Sequence, residues 1–357
     1  MKAGTTMEAL AAEIMRQKEN KADYIVYVNG LYVEACGGDL ILHVLDGNGT
    51  DRIEPLDMGD YAHRQISAYL NIPAKYYSRM LNKYPELLTK NVNGWFSRTN
   101  AQRMLRVLDG KMRAFVSNRY LRIDHHEVSC AVLPILGELS DVQFLSCQMT
   151  ESRMYIKLTH PELRQNVAPN LTIQSGLLIS NSEIGAGSVN IQPLIYCPEE
   201  DFGMIVQTTT ARRNHSGPVY SADTEFEIRP EVYTLTEDSD FFEKIQNTIH
   251  EAFDEERFNQ IVECVRSARD ASVNADNIAG VIKTVCSEFK VTEAEQAGVL
   301  QQLSESNEMN RYGIANAVSQ YGQQIESYDR ATELEGIGFE ILSMSDHKWN
   351  QLNEAAA

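Results

Sequence analysis

Residues 103–108 and 111–116 are two short runs rich in apolar residues that, laid out as strands, place their side chains alternately on two faces, and Asp109-Gly110 separates them. An Asp-Gly pair between two such runs predicts a two-residue hairpin turn. That turn pairs Leu108 with Lys111, Val107 with Met112, Arg106 with Arg113, Leu105 with Ala114 and Met104 with Phe115, on alternating faces. One face is then apolar: Leu105, Val107, Met112, Ala114 and Val116. The other carries Arg106, Lys111 and Arg113 beside Met104, Leu108 and Phe115. Two arginines directly opposite each other repel, so the pattern requires something negative above them, either an internal carboxylate or an external phosphate.

The same alternation recurs along the chain. Residues 24–28 and 31–35 around Asn29-Gly30 predict a second hairpin, and residues 39–46 a further strand. Residues 142–149 and 153–158 predict another hairpin, and 176–180 and 188–196 predict strands flanking a glycine-rich loop at 181–187. The period changes to that of a helix at residues 7–16, 58–70, 73–84 and 125–139. From about residue 229 it stays helical, with a capping box at Thr292 and Glu295 and further helices over 309–323 and 328–344. The fold class expected is α+β: an antiparallel sheet built from several hairpins with packed helices, followed by an acidic α-helical C-terminal region. The expected division is an α+β core at 1–228 and an acidic helical region at 229–357.

Charge changes this picture. The 357 residues carry a net charge of −18, yet residues 61–122 hold 12 Lys and Arg against Glu86 and Asp109, a local +10 that leaves −28 on the remainder. The same segment holds nine aromatics, and cations interleaved with rings suit single-stranded nucleic acid, where the cations track phosphates and the rings stack on bases. The candidate contacts are Arg103, Arg106, Lys111, Arg113, Arg119 and Arg122 for phosphates, with Phe115, Tyr120 and Trp95 for bases. Helices over 58–70 and 73–84 resemble a helix-turn-helix, which leaves Lys75, Tyr76, Arg79 and Lys83 available to a phosphate backbone. The competing reading places acidic residues from elsewhere over these cations. From residue 229 onward, 24 acidic residues face 10 basic ones, a solvated surface or one that folds back on the basic segment.

Other chemistry is less specific. Asp124-His125-His126-Glu127 reads as a capping box ahead of a helix, because adjacent histidines point to different sides of a helix; no metal is expected there. The 181–187 loop matches neither the P-loop nor the dinucleotide fingerprint and is read as a structural turn. Arg212 to Gly217 forms a small basic loop with His215 as a candidate contact. Six scattered cysteines with no Cys-x-x-Cys pair and no leader peptide indicate reduced cytoplasmic thiols. No apolar run is long enough to enter a membrane. With no Walker motif, nucleophile elbow or metal-ligand spacing, neither an enzyme nor a cofactor is expected.

Three stretches resemble a family. Met112-Arg113-Ala114-Phe115-Val116-Ser117-Asn118-Arg119-Tyr120, Ser180-Asn181-Ser182-Glu183-Ile184-Gly185-Ala186-Gly187-Ser188 and Arg311-Tyr312-Gly313-Ile314-Ala315-Asn316-Ala317-Val318 are similar to the phage/plasmid-like proteins grouped as domain-of-unknown-function family 932. One corner departs from that pattern: Cys197 leads into Pro198-Glu199-Glu200-Asp201-Phe202-Gly203 rather than into Asn-Gly. The resemblance implies a phage, prophage or plasmid setting and a bacterial cytoplasm, and it supplies no activity. The expected function is single-stranded DNA or RNA binding, in annealing, recombination or replication, with self-association left open. The alternative is a non-catalytic interaction module that engages a host or phage protein.

Overall fold

The computed structural model describes residues 1–207, 211–217, 219, 226–228, 239–274 and 277–354. Its first half runs α1 (Met7–Asn20), β1 (Lys21–Tyr27), β2 (Leu31–Cys36), β3 (Asp39–Val44), β4 (Leu56–Met58), α2 (Asp60–Tyr69), α3 (Ala74–Lys83), α4 (Pro85–Phe96), β5 (Gln102–Leu108), β6 (Lys111–Ser117) and α5 (His125–Glu138). Then follow β7 (Gln143–Met149), β8 (Met154–Ala168), β9 (Leu171–Asn181), β10 (Val189–Cys197), β11 (Phe202–Ile205), β12 (Ala211–Arg213) and β13 (Glu227–Ile228). The chain ends in α6 (Ser239–Ala252), α7 (Glu255–Asp270), α8 (Ile278–Glu288), α9 (Glu293–Ser306), α10 (Arg311–Gln324), α11 (Tyr328–Leu342) and α12 (Asp346–Glu354). The fold is α+β, as expected, with two curled, mostly antiparallel sheets and C-terminal helices.

The first sheet has the order β13-β1-β5-β6-β4-β3-β2, with β4 and β6 its parallel pair. One face packs on α2, α3 and α4 through Leu42, Ile66, Met80, Val92, Phe96, Leu105 and Phe115. Asn71, left-handed at φ 55°, turns the chain between α2 and α3, and Pro85 occupies the first turn of α4, where a missing N–H costs nothing. The second sheet, β11-β10-β9-β8-β7, lies between α1, α5 and α6 on one side and the C-terminal helices on the other. Ile173, Cys197, Phe202 and Met204 share one apolar cluster with Val262, Tyr312 and Leu334, so the acidic helices and this sheet bury a common core across residue 228.

Two expected pairings are corrected. β1 and β2 do not form a hairpin: a short 3-10 turn at Val28–Gly30 redirects the chain, β1 pairs with β5, and β2 pairs with β3. In the β5–β6 hairpin, Asp109 and Gly110 both take positive φ, 52° and 73°, as a type I′ turn requires. Leu108 pairs with Lys111 and Val107 with Met112, but a bulge then shifts the register, so that Arg106 faces Ala114 and Leu105 faces Phe115. Arg106 and Arg113 are therefore not cross-strand partners. The physical reason is Phe115: strict alternation would put it beside Arg106, whereas the extra residue at Arg113 turns the ring into the helix-covered core, where it is 3% exposed.

The capping boxes at Asp124/Glu127 and Thr292/Glu295 both form. The six cysteines are free. Among the described residues no helix is long and apolar enough to cross a membrane.

Candidate nucleic-acid interface

Arg106 and Arg113 of the hairpin are neutralised inside the protein. On β1, Asp23 sits directly opposite Arg106 of β5, and the fully buried guanidinium donates from Nε to Asp23 Oδ1 at 2.9 Å and from Nη2 to Asp124 Oδ1 at 2.6 Å. Its Nη1 donates to the Glu183 carbonyl at 2.7 Å. Lys21 also pairs with Asp124, and Arg122 approaches Asp23 at 3.5 Å. Arg113, the bulged residue, reaches Glu183 Oε2 at 2.8 Å, while Glu183 Oε1 accepts from the His125 backbone N–H at 2.8 Å. The glycine-rich loop thus presents a carboxylate rather than an anion cradle.

Electrostatics follow from this packing. Burial would raise the Asp124 and Glu183 carboxyls, but the groups facing them reverse the sign. Arg106 leads at Asp124, and His125 followed by Arg113 at Glu183, holding both below the ordinary range. Burial opposes the charge on Arg106, yet Asp124 and Asp23 hold its pKa well above the usual value.

This geometry sorts the expected contacts. Arg106, Arg113, Phe115, Tyr120 and Arg122 are turned inward and are not available to a strand: Phe115 and Tyr120 are core rings, and the three arginines face carboxylates. The aromatic and basic segment therefore does not form one continuous positive surface. The Arg103 guanidinium carbon sits over the Tyr69 ring, 4.0 Å from its centroid. Lys111 is half exposed and 3.9 Å from Glu151, and Arg119 is exposed. Lys75, Arg79 and Trp95 remain on the surface.

Around these last three the structure assembles a second set of residues. Lys75, Tyr76, Arg79 and Lys83 stand on the outer side of α3, and Lys90 and Trp95 on that of α4, with Tyr84 at their junction and Arg98 just beyond. Tyr76, Tyr84 and Trp95 are 49%, 54% and 53% exposed, and Leu87 between them is 50% exposed. None of the five cations pairs with a carboxylate among the described residues. Large exposed rings beside unpaired cations on two consecutive helices can hold phosphates and stack on bases. Tyr84, Lys90 and Arg98 were missed as contacts because α4 was not foreseen. Its signal was present in Pro85 at a first helical position and in the i, i+4, i+8 series Leu88, Val92, Phe96.

No family model matches the sequence, and comparison with curated proteins and with solved structures gives no match.

His215 supplies a pH signature. Its ring stacks on Tyr120 at 4.7 Å and 2°, and burial pushes its pKa down to about 4, against the opposing Leu121 carbonyl. Because the unfolded imidazole titrates near 6.5, this neutral histidine contributes fully above that pH and its contribution is lost as pH falls towards 4. At pH 5 the loss is about 2 kcal/mol. Urea titrations of wild type and His215→Phe at pH 7 and pH 5 should show the variant losing less stability by that amount; equal losses would remove His215 from the account.

Proposed function

We propose that the protein binds single-stranded nucleic acid through the outer face of α3 and α4. One observation carries this reading: Tyr76, Tyr84 and Trp95 are about half exposed among Lys75, Arg79, Lys83, Lys90 and Arg98, with Glu86 the acidic residue of that stretch. Cations there follow the backbone, and rings take the faces of successive bases, a mode that tolerates any sequence. Lys75 and Arg79 keep the role expected of them, and Trp95 keeps its stacking role. The resemblance to phage/plasmid-like proteins supports only the setting in such an element; the annealing, recombination or replication accessory role rests on strand binding by this face.

The test is a titration of a labelled oligonucleotide at several salt concentrations. Contact with about four phosphates gives a log-log slope of about −3, and replacing Lys75, Arg79 and Lys83 together by Gln should make it shallower by about 2. Trp95→Ala should weaken binding by about 1–3 kcal/mol with little change in slope, since stacking releases no counterions. Melting should hardly move in either variant, because these side chains are exposed. Salt-independent binding, or a triple variant that binds like wild type, overturns the reading.

A second reading, a non-catalytic protein-interaction module, is favoured by the internal neutralisation of Arg106 and Arg113. It takes over if no strand binds at low salt, and Leu87 and Trp95 then mark the docking face.

A further inference from the structure

A pocket of about 560 Å³ opens between α2, β6 and the glycine-rich loop, on a different part of the molecule from the α3–α4 face. Its walls include Ala68 and Tyr69 of α2, Arg103, Tyr120, Gly185 and His215. We propose that it holds the base of a nucleotide, with the attached phosphate on Arg103; the proposal rests on the nucleic-acid reading for its class of ligand.

Three features select that chemistry. The walls are planar rings: Tyr69, against which Arg103 lies, and the Tyr120–His215 pair stacked in parallel. Arg103 has no carboxylate partner among the described residues, so its outward donors remain available to an anion. His215 spends Nδ1 on the Leu121 carbonyl at 2.8 Å, which fixes the tautomer and leaves Nε2 a buried acceptor with no partner among the described residues. That acceptor takes any N–H or O–H donor that reaches it; the edge of a nucleobase carries such donors, whereas a wholly apolar ligand has none.

The cavity is also built rather than incidental. Gln65 is tied at both ends, accepting from the Phe115 N–H at 2.7 Å and donating to the Ile184 carbonyl at 2.8 Å. Gly185, at φ 77°, packs so close that a Cβ would stand 3.2 Å from both Gln65 Nε2 and Val116 Cγ1. A glycine is required there by conformation as well as by space. The volume falls within the range of small-ligand sites. The nucleotide comes from one of two sources, free in solution or at the end of a strand, and the base-plus-phosphate chemistry is common to both.

The experiment uses the full chain and calorimetric titration with AMP, CMP, inorganic phosphate and a 5′-phosphorylated trinucleotide. Ala68 is exposed on α2, so Ala68→Phe fills the pocket mouth without disturbing the core, and Arg103→Gln removes the anion contact. The expected result is that AMP or CMP binds, that phosphate alone does not, and that each variant weakens the nucleotide at least tenfold while melting is unchanged. Binding of the trinucleotide alone, still lost in Ala68→Phe, supports the pocket and assigns its ligand to a strand end. Phosphate binding as well as AMP, or nucleotide and trinucleotide binding both absent or both indifferent to Ala68→Phe, overturns the proposal. The two readings fail separately. Long strands that bind with the α3 dependence while Ala68→Phe changes nothing leave the α3–α4 face standing. AMP binding that remains sensitive to Ala68→Phe when no long strand binds leaves the pocket standing.

Discussion

Arg106→Gln should destabilise the protein by about 4 kcal/mol, a large part of the stability of an ordinary domain. The guanidinium is 0% exposed and is bonded to Asp23, Asp124 and the Glu183 carbonyl at once. Glutamine is too short to serve all three. Asp23 and Asp124 would then share Lys21 and Arg122, and the buried Glu183 carbonyl would lose a donor. The sign is opposite to what an opposed, solvent-facing arginine pair would give, where removing a cation relieves repulsion. Lys111→Gln, on the same hairpin but half exposed, is the control and should stay within about 0.5 kcal/mol of wild type. Urea unfolding at pH 7 measures both. An Arg106 variant within 1 kcal/mol of wild type would show that the buried carboxylates do not depend on it.

That reversal shows where sequence stops being informative. Asp109-Gly110 specifies the turn through backbone conformation alone, and the first two cross-strand pairs follow from it. The bulge does not follow, because its cause is tertiary: whether Phe115 or Arg113 faces α2 and α4 depends on helices that precede the hairpin. The counter-ions are equally non-local. Asp23 lies 83 residues from Arg106, and Glu183 lies 70 from Arg113. Their only local mark is a lone carboxylate set in an apolar strand, Lys21-Ala22-Asp23-Tyr24-Ile25-Val26, or in a small-residue loop, Ser182-Glu183-Ile184-Gly185. The capping boxes, by contrast, need four consecutive residues and an adjacent helix, and both form as read. On the candidate interface, Lys75 and Arg79 were legible from the helical period of α3, whereas the burial of Tyr120 and Arg122 was not, since a basic aromatic segment looks the same whether it turns outward or inward.

A second buried pair should respond to substitution in a way that separates charge from packing. Lys157 of β8 donates to Glu335 of α11 at 2.5 Å, both side chains are 0% exposed, and they lie 178 residues apart in sequence. The Lys157 ammonium also sits 4.8 Å from the Tyr328 ring centroid, and Gln323 donates to the other Glu335 oxygen at 3.1 Å. Removing either charge strands the other in an apolar layer beside Leu178, Leu194 and Ile205, so Lys157→Met and Glu335→Leu should each cost about 3–5 kcal/mol. The double variant should lie much closer to wild type than the sum of the two, and it can exceed wild type, because two apolar side chains of similar volume replace two desolvated ions. The coupling energy from that double-mutant cycle, read by urea unfolding, should therefore be at least about 3 kcal/mol. Coupling near zero would mean that the second sheet and α11 are held together by their apolar contacts and that the ion pair is incidental. Strong coupling with an unperturbed double variant would instead identify the pair as a registration device, which fixes how α11 seats on β8 without adding to net stability.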